Sequence, residues 1–381
     1  MLKSRDYKNF LLLSFFVAFF GLNLYAQQKS KLEKLVDKVY KIVEGDSAKP
    51  KSKYFFVIPM WGVSPETGIK LGVSAGYVFK LDEDSLTRPS LVKLNTSYTS
   101  KKQFNLRPFA DVYFKNNQYN LKAQYIFNDF NERYWGIGSL ASDSSENYDF
   151  NQHRINVRLT KQIIRNLFLG PQILYEKLYN IKFSEQSEAP ESKVYGINGY
   201  EVFGAGLALA FDNRNNVYSP SQGAYLELSN FFFYHNRFSD FRFDAISIDL
   251  RKYFPIGKEN VFALQGVAAF NAGEVPYRQM GTIGSENYMR GYYQGRFRDN
   301  HMLTLQSEFR FKIWGPLNGA AFVGAGNVAN EVKNLSQNVK PNYGIGIRGL
   351  IIRKEKMSAR LDLGFGEGKI RGFYFTMLEA F

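Results

Sequence analysis

The sequence predicts an all-β chain: a transmembrane antiparallel β-barrel of about sixteen strands, preceded by a short N-terminal amphipathic helix. Three observations carry that expectation. Apolar and polar residues alternate with period two in segment after segment from residue 53 onward. Long and short connections between these segments sort to opposite ends. Beyond the N-terminus no apolar run reaches the roughly 20 residues of a membrane-spanning helix, a test that half-polar barrel strands escape. The 381 residues include no cysteine, which excludes a disulfide framework, a thiolate metal site, a cysteine nucleophile and a lipidated cysteine. The net charge of +14 suits nucleic acid in a cytosolic chain. After export it points instead to anionic lipid headgroups or an acidic cargo, and no nucleic-acid partner is expected.

The elements follow in order. Lys3, Arg5 and Lys8 precede an apolar run over 10–22, and Ala26 supplies a small residue for cleavage, so 1–26 reads as a signal peptide and the mature chain as exported. Residues 27–52 form a short periplasmic segment: Leu32, Leu35, Val36, Val39 and Val43 share one helical stripe, Gly45 stops it, and Pro50 lies in a linker. The barrel domain is 53–381. Its clearest strand is 301–313, where Leu303, Leu305, Phe309, Phe311 and Ile313 alternate with Thr304, Gln306, Glu308, Arg310 and Lys312. The segments 118–130, 150–163 and 357–365 repeat the pattern, the last with Ser358, Arg360 and Asp362 on its polar face. The full set is 54–61, 67–80, 90–100, 104–115, 118–130, 150–163, 166–181, 199–212, 222–234, 240–254, 260–271, 301–313, 317–328, 341–352, 357–365 and 370–381.

Long connections at 131–149, 182–198, 272–300 and 329–340 follow odd strands, whereas tight ones at Asn116, Ile164 and 314–316 follow even strands. With both ends of the barrel in the periplasm, the long loops face outside. Tyr134, Trp135, Trp314, Tyr343 and Phe381 near strand ends are expected in interfacial girdles. His153, His235 and His301 are the only histidines, and none has the neighbours of a catalytic arrangement, so no enzyme, metal or cofactor is expected.

Two segments resemble the BamA/TamA-type outer-membrane protein insertase superfamily, also called the bacterial surface antigen family. Residues 212–223, with Asp212, Arg214, Pro220 and Gly223, resemble its D-x-R-x(5)-P-x(2)-G periplasmic turn; physically these residues make a rigid turn. Met289, Arg290, Gly291 and Tyr292, in the longest loop, resemble its V-R-G-F/Y motif. The resemblance implies that this loop folds into the barrel and that Arg290 meets an inner-wall carboxylate, and the alternation independently points Glu308 inward. The family's further Asp, in an F-x-D-x-G context, is replaced by Gly324, so one partner of the loop is missing and the loop is held less tightly or differently. The polypeptide-transport-associated (POTRA) domains usual in the family do not fit in the arm at 27–52. Phe373, Phe375 and Phe381 resemble the C-terminal signal by which barrels are recognised for assembly, with Glu379 interrupting the apolar series.

The function expected is a part in outer-membrane protein assembly or polypeptide translocation. The partners implied are outer-membrane lipids, client outer-membrane proteins, and periplasmic or lipoprotein components. The first strand, short and carrying Pro59, is expected to pair imperfectly with 370–381, leaving an edge for a client strand. The alternative is a passive pore or structural barrel, anion-preferring through Arg107, Lys122, Arg154, Arg158 and Arg348.

Overall fold

The computed structural model describes residues 53–64, 67–82, 87–184, 194–352, 356–368 and 371–381. The signal peptide and helix expected over 1–52 lie outside them. Alternation with one greasy face makes strands, and strands of this kind bury their polar face only by closing on themselves. Sixteen form one antiparallel sheet that curls round to bring β1 beside β18. In chain order they are β1 (Tyr54–Ser64), β2 (Gly68–Phe79), β3 (Ser90–Thr99), β4 (Phe104–Tyr113), β5 (Tyr119–Tyr134), β6 (Glu146–Ile164), β7 (Leu167–Phe183), β8 (Tyr200–Asp212), β9 (Gly223–Phe233), β10 (Phe243–Ile256) and β11 (Asn260–Gly273). After a small hairpin of β12 (Gly281–Ile283) and β13 (Phe297–Asp299) come β14 (His301–Trp314), β15 (Leu317–Ala329), β16 (Lys340–Ile352), β17 (Met357–Phe365) and β18 (Arg371–Met377). The hairpin stands apart as its own two-stranded sheet, and β11 pairs directly with β14.

The burial pattern is that of a soluble protein turned inside out. Leu305 is 59% exposed on the outer face of β14, whereas Glu308, on the inner face, is fully buried. The outer apolar band has a visible edge on β6, where Ile155, Val157 and Leu159 give way to Asn147, Asp149 and Asn151. His153 sits at that edge, bonded to the Tyr125 hydroxyl at 2.7 Å and the Tyr179 hydroxyl at 3.0 Å. Rings with polar tips suit such a boundary.

Strands β5, β6 and β7 run 16, 19 and 17 residues, well past the ~9–11 that a membrane crossing takes. Beyond the band their inner faces turn apolar. Tyr148, Phe150, Leu174, Leu178, Tyr200, Val202, Phe233 and Phe243 pack with Ile197, Val275 and Tyr277 from the long loops into a core that domes over the lumen. At about 1.5–3 kcal/mol per buried large side chain, this dome is a major part of the fold. Tyr134 and Trp135, expected in a girdle, pack at this end instead: Tyr134 lies against Tyr277 and Trp135 edges onto Tyr293.

Two expectations at the seam are corrected. β1 is not brief: it has 11 residues, whereas β18 has only 7 and stops at Met377 rather than continuing to Phe381. Among the described residues no ladder joins β1 to β18; instead Trp61 stacks on Phe375, with centroids 5.6 Å apart. Residues 378–381 turn off the wall into the lumen, and Phe381 is buried there, so it belongs neither to the outward series of Phe373 and Phe375 nor to a girdle.

Candidate functional site

The loop between β11 and β14 carries Gly291 at φ +117°, a conformation that glycine adopts without strain. This glycine lets the loop backbone lie directly on the wall: a Cβ there would come within 2.7 Å of the Phe365 backbone. Gly364 matches it from the wall side, where a Cβ would come within 2.6 Å of the Arg290 carbonyl. Two glycines on facing surfaces thus allow backbone-to-backbone contact.

Arg290, fully buried, is held between two carboxylates. Its Nη1 donates to Asp362 Oδ2 at 2.6 Å, and its Nη2 faces Glu308 Oε2 at 2.7 Å as an ion pair. The guanidinium lies flat over the Phe322 ring, 3.5 Å from its centroid, and the Asn342 amide donates to the Arg290 carbonyl at 3.0 Å. Next along the loop, Gly291 N–H donates to the Tyr374 hydroxyl at 2.9 Å, which in turn donates to the Tyr292 carbonyl at 3.2 Å. The Tyr292 hydroxyl donates to the Pro341 carbonyl at 2.7 Å and accepts from Glu367 N–H at 2.9 Å. Burial pushes this phenol up to about 12, so it stays protonated and able to do both.

The partner expected near Gly324 comes instead from β17, as Asp362. Gly324 lies beside Asn342 in the sheet, and Asp362 is the register partner of Gly346, where any Cβ would strike its carboxylate. Around the pair stand three more arginines. Arg310 Nε donates to Glu308 Oε1 at 2.8 Å, Arg348 bonds Asp362 and reaches Glu308 at 3.2 Å, and Arg360 Nη1 lies 3.5 Å from Asp362. Arg360 Nη2 also donates to the Glu286 carbonyl at 2.9 Å. Each carboxylate therefore serves several cations, the arrangement that makes buried charge tolerable.

The turn at 212–223 is a second built unit. Asp212 receives Arg214 through Nε and Nη2, both at 2.9 Å, and Arg88 from the turn before β3 at 2.7 Å. Gly223 has φ +105°, and the Pro220 carbonyl accepts from Arg310 Nη1 at 3.2 Å. Arg310 therefore links this turn to Glu308, joining the two predicted motifs. Phe373 and Phe375 remain on the outer face of β18, away from both.

Asp362, Asn342, Phe322, Tyr374 and Arg88 were not singled out by sequence. The alternation had already turned Asp362 and Arg360 inward; it holds no information on which inward residues of distant strands meet across the lumen.

A family model described as the Omp85 superfamily domain matches residues 86–381. The chain belongs to the Omp85 superfamily. Its fold is similar to that of BamA from Haemophilus ducreyi lacking POTRA domains 1–3, at 15% identity and a TM-score of 0.55, covering 87% of this chain and 71% of that one. It is also similar to CdiB from Acinetobacter baumannii, at 14% identity and a TM-score of 0.57, covering 85% of this chain and 59% of that one. CdiB from Escherichia coli gives 10% identity, a TM-score of 0.53, and coverage of 87% and 62%. This chain thus spans less than two thirds of either CdiB. No curated protein matches it. As an Omp85-superfamily barrel it is an outer-membrane protein.

Proposed function

We propose that this Omp85-superfamily barrel places or passes extended polypeptide at the outer membrane through the seam between β1 and β18, acting with periplasmic or lipoprotein partners. The observation that carries the reading is the seam. β18 stops at Met377, the tail departs inward, and among the described residues no ladder joins β1 to β18, so β1 faces the seam without a sheet partner on that side. Unpaired backbone groups in lipid carry a penalty of several kcal/mol each, and an incoming strand would remove it by β-augmentation.

The passive-pore reading is less well supported. The dome and the inserted loop take up space inside the wall, and several lumenal cations are neutralised: Arg154 by Glu176, Arg158 by Glu227 at 2.9 Å, and Arg348 by Asp362, Glu308 and Glu379.

A photo-crosslinking residue at Val57, exposed on the free stretch of β1, tests the proposal in growing cells. Adducts with unfolded outer-membrane polypeptides are expected. An assembled barrel that yields none would refute it.

A further inference from the structure

The tail that leaves the wall ends in a socket. Phe381 is buried against Tyr253 of β10 and against Val261 and Ala263 of β11, with its ring 6.5 Å from that of Tyr253. Arg310 lies over both rings, 5.4 Å from Phe381 and 5.8 Å from Tyr253, and its Nη2 donates to the Phe381 carbonyl at 2.7 Å. Two residues earlier, Glu379 accepts from Arg348 Nε at 3.1 Å and lies 3.6 Å from Arg310 Nε.

The socket does not depend on its occupant. All its walls are strand residues of the barrel, and Arg310 is aimed independently by Glu308 and the Pro220 carbonyl. The occupant, by contrast, is held by few bonds. Leu378 N–H makes the last sheet bond, to Ser358 O at 2.7 Å, and Leu378 itself sits at φ 70°, a strained value for a branched residue. Among the described residues, the polar contacts of 379–381 are those of Glu379 with Arg348 and Arg310 and of the Phe381 carbonyl with Arg310. Ala380 and Phe381 add apolar burial to these ties, but 379–381 take no part in the ladder between β17 and β18, so the segment can leave without breaking the sheet.

We infer that this socket is a binding site for polypeptide segments bearing an aromatic residue two positions after a carboxylate, and that 378–381 occupy it in cis. The site rests on the proposed handling of polypeptide and names its substrate class. The inner wall would read a client's aromatic and acidic side chains, while the tail, by sitting there, keeps the site closed when no client is present.

The test uses a fluorescent peptide of residues 373–381 and the full-length chain in detergent, with anisotropy as the readout. A tethered tail competes at an effective concentration on the order of mM, so Phe381→Ala in the chain should tighten peptide binding by about tenfold or more. Changing the peptide's own aromatic to Ala, or Arg310→Lys in the emptied chain, should abolish that gain. Heat-modifiable gel migration reports whether each barrel is folded, and Glu379→Gln, which removes the tail's ionic ties to Arg348 and Arg310 and leaves every wall residue unchanged, provides a second opening variant with the same expected gain. Equal binding by wild-type and both opened chains overturns the inference, as does binding indifferent to the peptide's aromatic or to Arg310. Peptide capture without crosslinks at Val57 would remove the proposed function alone, and crosslinks without capture would remove this site alone.

Discussion

Arg290 is the residue on which the loop's position turns. Its guanidinium serves two carboxylates and stacks on Phe322, a planar task that an ammonium cannot reproduce. Removing one member of a buried network strands the others, so Arg290→Ala should destabilise the barrel by about 3–5 kcal/mol in urea titration and make the loop protease-sensitive; Arg290→Lys should not restore it. Asp362→Asn should weaken the loop comparably to Glu308→Gln, and an Asp362→Asn chain with wild-type protease resistance would remove Asp362 from the account. At Gly364 steric exclusion acts instead of charge: Gly364→Ala puts a methyl 2.6 Å from the Arg290 carbonyl and should displace the loop while leaving every ion-pairing group in the chain. Of this site, Arg290 and Glu308 were legible in the sequence, one from a motif and one from alternation. Asp362 was not, because its role depends on how far around the wall the loop reaches.

At the level of elements, strands were legible wherever one face is apolar and the other polar, since that contrast dictates both conformation and direction. Reading failed where the contrast does. β12 and β13 have three residues each, too few to show a period. The tail was read as strand because Phe373, Phe375 and Met377 set up an outward series; continuing it would place Glu379 on the lipid face, and entering the lumen gives that carboxylate Arg348 and Arg310 instead. The aromatics at 134 and 135 were misplaced because the long strand β5 carries them past the band, Tyr134 into the dome and Trp135 onto Tyr293. A cysteine-free chain makes the topology simple to measure. Leu140, 77% exposed in the loop after β5, and Asn116, in the tight turn after β4, lie at opposite ends. An impermeant maleimide should label Leu140→Cys in intact cells and Asn116→Cys only after lysis; the reverse pattern would invert the barrel.

At the scale of the whole molecule, the apolar dome, the inserted loop and the tail all lie on the inner side of the wall, while the wall keeps one weak line. The folded barrel should therefore show almost no steady conductance in planar bilayers, and a stable open level would restore the pore reading. Under the proposed function, work falls to the seam. Across it Phe375 lies nearest Gly62: a Cβ on Gly62 would stand 3.9 Å from that of Phe375, within the span a disulfide needs. The most direct measurement is client insertion by the Gly62→Cys, Phe375→Cys chain in proteoliposomes, oxidised and then reduced. Insertion that stops on oxidation and returns with reductant is the predicted result; full insertion with the disulfide intact would contradict a seam that opens.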